Sequence, residues 1–439
     1  MQKGLDDVAW FDCRMSASEV TTEATAAHAN LRDTESVLQV EVVAYLELNR
    51  VDYAVGRKKS LRARYYFGII FLIMNFIAWF FRDYGQGALP FIHYIKVCGK
   101  EGEDCFHALG VLRVSLGCYI FFSVMLVTTV KTRKLHEHRN LWHSGKWEMK
   151  SIILLVSMAL PFFFPSELVQ IYGEVARIGA GIFLLLQLVS VIQFITWWNK
   201  YWTPDQERKQ RCSFGLLMST LFYVASICGI VYLYTSYAPR ASCSLNLFFI
   251  TWTAILLAAM MAISLHSKVN RGLLSSGIMA SYIVFLCWCA MRSEPATARC
   301  VTENQEKGNS DWITIIGFLI AIFAIVIAAF STGIDSKSFK FSEDKVEHED
   351  DIPYSYGFFH LVFSLGAMYF AMLFISWDLN NSARKWSIDV GWISAWVRVI
   401  NEWFAATIYI WMLISPVVRQ NKIMVNGGSM QETVDSVMP

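Results

Sequence analysis

Ten stretches of this chain are long and apolar enough to cross a lipid bilayer, and no other feature narrows the possible folds so far. A hydrocarbon core about 30 Å thick needs roughly 20 mostly apolar residues per spanning helix. The stretches run over 65–82, 106–130, 150–168, 171–198, 213–237, 244–266, 272–292, 312–332, 355–377 and 392–417, each bounded by Lys/Arg clusters, Pro or Gly. Barrel strands would alternate apolar and polar residues, whereas the run from Ile315 to Phe330 is apolar on every side. Hydrophobic residues make up 55% of the chain and charged ones 17%, with a mean hydropathy of +0.39. A soluble chain of 439 residues has too little interior to hide that excess, so a soluble enzyme, a disulfide-dense secreted domain and a disordered chain are excluded. A net charge of +2 is too small to support a nucleic-acid partner. The expected fold is all-α and polytopic with about ten transmembrane helices, its weakest boundary at Pro161 and Pro165.

The distribution of positive charge orients these helices. Arg50, Arg57–Arg64, Lys131–Lys150, Lys200–Arg211, Lys268, Arg271, Lys337–Lys345, Arg419 and Lys422 fall on one side. That side holds about 23 Lys/Arg against about nine on the other. Both termini are therefore expected in the cytoplasm. Three regions follow: a partly disordered tail over 1–56, a helical membrane domain over 57–423 and a short tail over 424–439. Within the first, residues 36–55 fit an amphipathic interfacial helix or a short strand, and periodicity does not separate the two. No secretory signal is read ahead of the first helix.

Cysteines obey the same map. Cys98, Cys105, Cys243 and Cys300 fall in loops assigned to the exoplasmic side, where thiols oxidise. The simplest pairing joins Cys98 to Cys105 and Cys243 to Cys300. Cys118, Cys228, Cys287 and Cys289 lie in helices and read as small apolar packing residues. Asn380-Asn381-Ser382 is the one glycosylation sequon, close to the membrane. The chain shows no His-Glu-x-x-His, no phosphate-binding glycine loop and no Gly-x-Ser-x-Gly. His136, His138 and His143 share a basic loop, with nothing nearby to complete a metal site. No enzyme, metal or cofactor is expected.

Several compositionally unusual segments occur together. Tyr354-Ser355-Tyr356-Gly357-Phe358-Phe359-His360 opens a helix that closes on Ser376-Trp377. Trp396-Val397-Arg398 is followed by Trp403 and Tyr409-Ile410-Trp411. Arg271-Gly272-Leu273-Leu274-Ser275-Ser276 leads to Ser293-Glu294-Pro295, with Trp197-Trp198-Asn199-Lys200-Tyr201-Trp202 and Val111-Leu112-Arg113-Val114-Ser115 upstream. In this content and order the chain resembles the serine incorporator family over 57–423. Animal members carry a Cys-rich segment before the first helix where this chain has only Cys13, so the resemblance is to a plant-like or other non-animal member. The resemblance implies a ten-helix protein that promotes incorporation of serine into phosphatidylserine and sphingolipids. For some members it also implies energy-independent movement of phospholipids between leaflets. The implied partners are membrane phospholipids, serine and lipid-synthesis enzymes, with a homo-oligomer admitted. The implied home is the endoplasmic reticulum, another endomembrane or the plasma membrane. The competing class is a secondary transporter of serine or a small amphiphile, for which paired interrupted helices and a midplane site would be expected.

Charges within the spans are the informative residues, since each costs at least about 2.5–3.5 kcal/mol at mid-bilayer. Arg113, Arg177 and Arg398 each lie five to seven residues inside the exoplasmic ends of their spans, roughly 8–11 Å deep. Glu174 precedes Arg177 by three residues and Glu402 follows Arg398 by four, so each acid shares a helical face with its arginine, and Ser394 extends the second stripe. Two readings stand: arginines that snorkel or bind helices together, or a polar cavity where guanidinium groups meet a lipid phosphate or serine carboxylate. His360, near the cytoplasmic end of its helix, reads as a helix-to-helix hydrogen bonder.

Overall fold

The computed structural model describes residues 47, 50–84, 102–202, 209–240, 242–266, 273–295, 300, 311–334, 350–379 and 388–435. Backbone polar groups find no partner in hydrocarbon, so a segment crossing it must satisfy them internally. Eleven helices result among the described residues: α1 (Arg50–Tyr84), α2 (Gly102–Thr129), α3 (His138–Ser144), α4 (Trp147–Ala159), α5 (Ser166–Trp202), α6 (Lys209–Tyr237), α7 (Ser244–Leu265), α8 (Leu273–Ser293), α9 (Asp311–Ile334), α10 (Tyr356–Phe374) and α11 (Trp392–Asp435). The only β pairing there is an isolated bridge between Lys134 and Asp351. The protein is an all-α, multi-pass integral membrane protein.

Nine of these helices are long and apolar enough to cross a membrane, one fewer than the ten expected. The missing one is the stretch 150–168. Its helix, α4, has 13 residues, about 20 Å. A 3-10 turn over Leu160–Phe163 with Pro161 near its start follows, and Pro165 prevents the helix from continuing. The outer spans are longer than expected. α1 begins at Arg50, so Arg57–Arg64 are turns of the helix itself rather than a lead-in. α11 continues beyond Pro416 to Asp435, making helix of most of the expected C-terminal tail.

Two cores organise the bundle. In the first, Phe67 and Phe71 of α1, Phe121 and Phe122 of α2, Phe183 of α5 and Phe359, Phe363 and Phe370 of α10 interlock. In the second, Leu188 and Ile192 of α5 meet Ile250 of α7, Ile283 and Cys287 of α8 and Tyr409 of α11. α5, 37 residues long, places its first half in one core and its second half in the other. α10 lies at the centre of the first core and is the most deeply buried of the spanning helices, whereas α6 is peripheral.

Lipid supplies no hydrophobic drive between helices, so close association rests on small residues. A Cβ on Gly117 of α2 would lie 2.8 Å from the Ser157 carbonyl oxygen of α4, and one on Gly357 of α10 would lie 2.8 Å from Cα of Val130. These two contacts set how closely α4 and α10 approach the cytoplasm-assigned half of α2.

Candidate functional site

The end of α10 assigned to the exoplasm is where most charged side chains within the membrane converge. The helix stops at Phe374, and Ser376 and Trp377 both adopt left-handed backbone angles, φ 55° and 60°. That turn exposes carbonyls that other helices must satisfy. Arg82 of α1 donates to the Phe374 carbonyl (3.2 Å) while bonded to Asp83 (2.7 Å). Arg177 of α5 donates to the Trp377 carbonyl (3.0 Å). The Asp389 amide donates to the Leu373 carbonyl (2.9 Å) and the Val390 amide to Ser376 Oγ (3.1 Å). Asp389 in turn pairs with Arg398 of α11. Two arginines at a helix C-terminus also match the negative end of its dipole.

Three N–H donors here are buried with no partner among the described residues: Arg177 Nε, Trp377 Nε1 and Arg398 Nε. The Asp389 Oδ1 and Ser394 Oγ atoms are likewise unmet. The cluster is not sealed, because the Arg177 and Arg398 side chains keep 34% and 26% of their exposure. A planar guanidinium with a free Nε–H and a neighbouring indole N–H offer hydrogen bonds to an anionic oxygen.

The structure separates the six charged or polar candidates. Glu174 and Arg177 form the pair that their spacing suggested, at 2.7 Å on the exposed side of α5. Arg398 turns instead to Asp389, while Glu402, 1% exposed, accepts from Thr253 Oγ1 of α7 at 2.6 Å. Arg113 is held away from the other arginines. Its guanidinium bonds the Pro161 and Phe164 carbonyls at the broken end of α4, where the Pro161 carbonyl also accepts from the Phe164 amide. Asp389, Trp377 and the Arg82-Asp83 pair were not among the residues singled out. Asp389 sits in a connection with no periodicity, and Trp377 was read only as the close of its span. Only the adjacency of Arg82 and Asp83 at the end of an apolar run was a usable signal.

His360 lies at the other end of α10, fully buried, with Nε2 3.1 Å from Nδ1 of His143. The basic loop containing His143 is therefore not wholly a surface loop. α3 folds under the bundle and buries His143, whose own affinity for protons is pushed well below the ordinary histidine value by burial, with further repulsion from His360 and Lys150. The same end is clasped by Lys134, bonded to Asp350 at 2.8 Å, a contact that raises its proton affinity. Among the described residues no three His, Cys, Asp or Glu side chains are grouped to hold a metal. Cys243 and Cys300 form a disulfide, Cα–Cα 6.0 Å, between the start of α7 and the segment after α8. Cys98, the side chain of Cys105 and the Asn380 sequon lie outside the described residues. So does nearly all of 1–49.

A second opening lies lower on α5. Gln187, Ser190, Gln193, Phe194 and Trp197 face Ile327, Ser331 and Thr332 of α9 across a groove of about 800 Å³. Its lining carries polar amide and hydroxyl groups among apolar walls, in the half of both helices nearer the basic end.

A family model described as Serine incorporator (Serinc) matches residues 49–351 and 335–422. Among curated proteins, a probable serine incorporator of Monosiga brevicollis is 23% identical over 82% of this chain and 90% of its own length. Serine incorporator 3 of Mus musculus is 25% identical over 73% of this chain and 81% of its own. A probable serine incorporator of Dictyostelium discoideum is 25% identical over 83% and 96%.

Proposed function

The chain belongs to the serine incorporator family, and from that premise we propose a non-enzymatic, lipid-handling role. It supports incorporation of serine into phosphatidylserine and sphingolipids and lets phospholipid headgroups pass between leaflets in an endomembrane or the plasma membrane. The observation that carries this reading is the set of unmet donors at the end of α10, Arg177 Nε, Trp377 Nε1 and Arg398 Nε, at outer-leaflet depth. A phosphate or carboxylate oxygen is the group such donors suit. The groove between α5 and α9 supports the same reading, since α5 carries both openings, one towards each of its ends.

The test is the purified protein in liposomes whose phospholipids are fluorescently labelled in one leaflet, run beside uptake of labelled serine into the same vesicles. Lipid exchange without serine accumulation is the expected result. Serine accumulation without lipid exchange would move the protein to the transporter class.

A further inference from the structure

At the basic end, α1, α3, α4 and α10 close around a hydrogen-bonded chain whose proton positions follow from its partners. Tyr354 donates its hydroxyl to the Ser60 carbonyl of α1 (3.2 Å). Its lone pairs therefore accept from His143, so the proton of that ring is on Nε2 (2.9 Å). His143 Nδ1 is then a bare acceptor, and the contact at 3.1 Å requires a proton on His360 Nε2. That leaves His360 Nδ1 as a buried lone pair with no partner. Both rings are neutral in this arrangement, and both residues are wholly buried.

The surroundings hold cations rather than anions. Lys150 of α4 donates to the His143 carbonyl (2.7 Å) and lies 4.0 Å from the Trp147 ring centroid and 5.1 Å from that of Phe67. Arg64 of α1 is a second cation whose charge acts on Tyr354. Tyr356, stacked on His143 at 3.8 Å, donates to Asn140, which also accepts from Ser60. α2 contributes Phe121 and Phe122, with no charge. The carboxylates flanking the region, Asp350 and Asp351, are paired with Lys134.

We propose that the His143–His360 pair is a proton-operated latch that holds α3 and the start of α10 against α1. A proton taken up by the closed pair has one vacant lone pair to occupy, His360 Nδ1, and it creates a buried imidazolium beside Lys150, whose own pKa burial lowers to about 7, so that this neighbour is itself charged as the pH falls. Proton addition at His143 Nδ1 instead turns a donor towards a donor and breaks the bond between the rings. In the open state both rings meet water and bind protons with ordinary histidine affinity, so acid favours opening. The sign follows directly. The latch is fully closed above the ordinary histidine value near 6.5 and loses stability as pH falls below it. With one ring gaining a proton on opening, the opening constant rises about tenfold between pH 7.5 and 5.5, and with both rings about a hundredfold.

Native-state hydrogen exchange of the full-length protein in nanodiscs tests this, with protection factors compared at pH 7.5 and 5.5. The amides to follow are Leu135 and Ile352, which bond the Asp350 and Arg133 carbonyls across the latch. Asp389 and Gly391, at the opposite end of α10, are the controls. The expected result is at least about a tenfold loss of protection at the first pair with the controls unchanged. His360→Gln, which keeps a donor towards His143, should reduce the pH response, and His143→Gln with His360→Gln should leave only the smaller part that Lys150 contributes. Unchanged protection in the wild-type protein, equal loss at the control amides, or a full response in the folded double variant would each overturn the latch. Because the wild-type profile is decisive alone, a variant that fails to fold does not spare the proposal.

Discussion

Arginines within the membrane divide by the partners that hold them, since Arg113 Nε is buried without a partner among the described residues just as Arg177 Nε and Arg398 Nε are. Arg113 spends its guanidinium on the two carbonyls at the end of α4. Arg113→Gln should therefore destabilise the protein by about 1–3 kcal/mol through the Phe164 carbonyl left unmet and leave lipid exchange per folded molecule unchanged, measured by thermal unfolding beside liposome exchange. Arg398 has Asp389 on one side and a free Nε–H on the other. Arg398→Gln should fold and exchange lipid slowly, and Arg398→Lys should restore little, because an ammonium keeps the charge but loses the planar fork. A reconstituted Arg398→Gln protein with wild-type exchange would return this residue to a purely structural role. Helical spacing made the Glu174–Arg177 pair legible in advance. It was misleading for Arg398 and Glu402, because the choice of partner across helices depends on rotation and neighbours that periodicity does not encode.

Elements show where local chemistry overrides hydropathy. The stretch 150–168 is apolar enough to suggest a full span, yet Pro161 and Pro165 end it after 13 helical residues, and the broken end is tolerated because Arg113 satisfies it. α4 also lies against Gly117, so Gly117→Ala should cost about 1–3 kcal/mol through overpacking, visible as a lower unfolding temperature. In the loop before α3, Glu137 accepts from the Arg133 and Lys134 amides, both at 2.9 Å. Those bonds, the Arg133 amide first, hold its carboxyl below the usual glutamate range. A depressed carboxyl stabilises the folded loop above its ordinary value of 4.5 and loses that contribution as pH falls through the window below it. Glu137→Gln should remove this acid sensitivity from the exchange of the Arg133 and Lys134 amides, and a retained sensitivity would assign it elsewhere.

For the whole molecule, the positive-charge asymmetry predicts that α3 and both ends of the chain face the cytoplasm. A single cysteine replacing Leu141, which is 58% exposed, should resist an impermeant thiol reagent in intact cells and react after permeabilisation. Labelling from outside would invert the topology and place the histidine latch on the exoplasmic side. The Cys243–Cys300 disulfide offers an independent check, since it belongs in an oxidising compartment.

What the amino-acid order determined alone is the membrane and nine of the ten expected spans, because lipid leaves the backbone no alternative and long apolar runs are one-dimensional signals. Family membership was legible too, since motifs such as Tyr354–His360 are contiguous in the chain. The division into two cores sharing α5, the gathering of Arg82, Arg177 and Arg398 at one end of α10, and the burial of His143 against His360 were decided by tertiary structure. The partners in these contacts lie up to 292 residues apart, as Arg82 and Phe374 do. In a bilayer, helix association depends on close packing and on the satisfaction of a few polar atoms. Those terms depend on which faces meet, and only the assembled helices specify that.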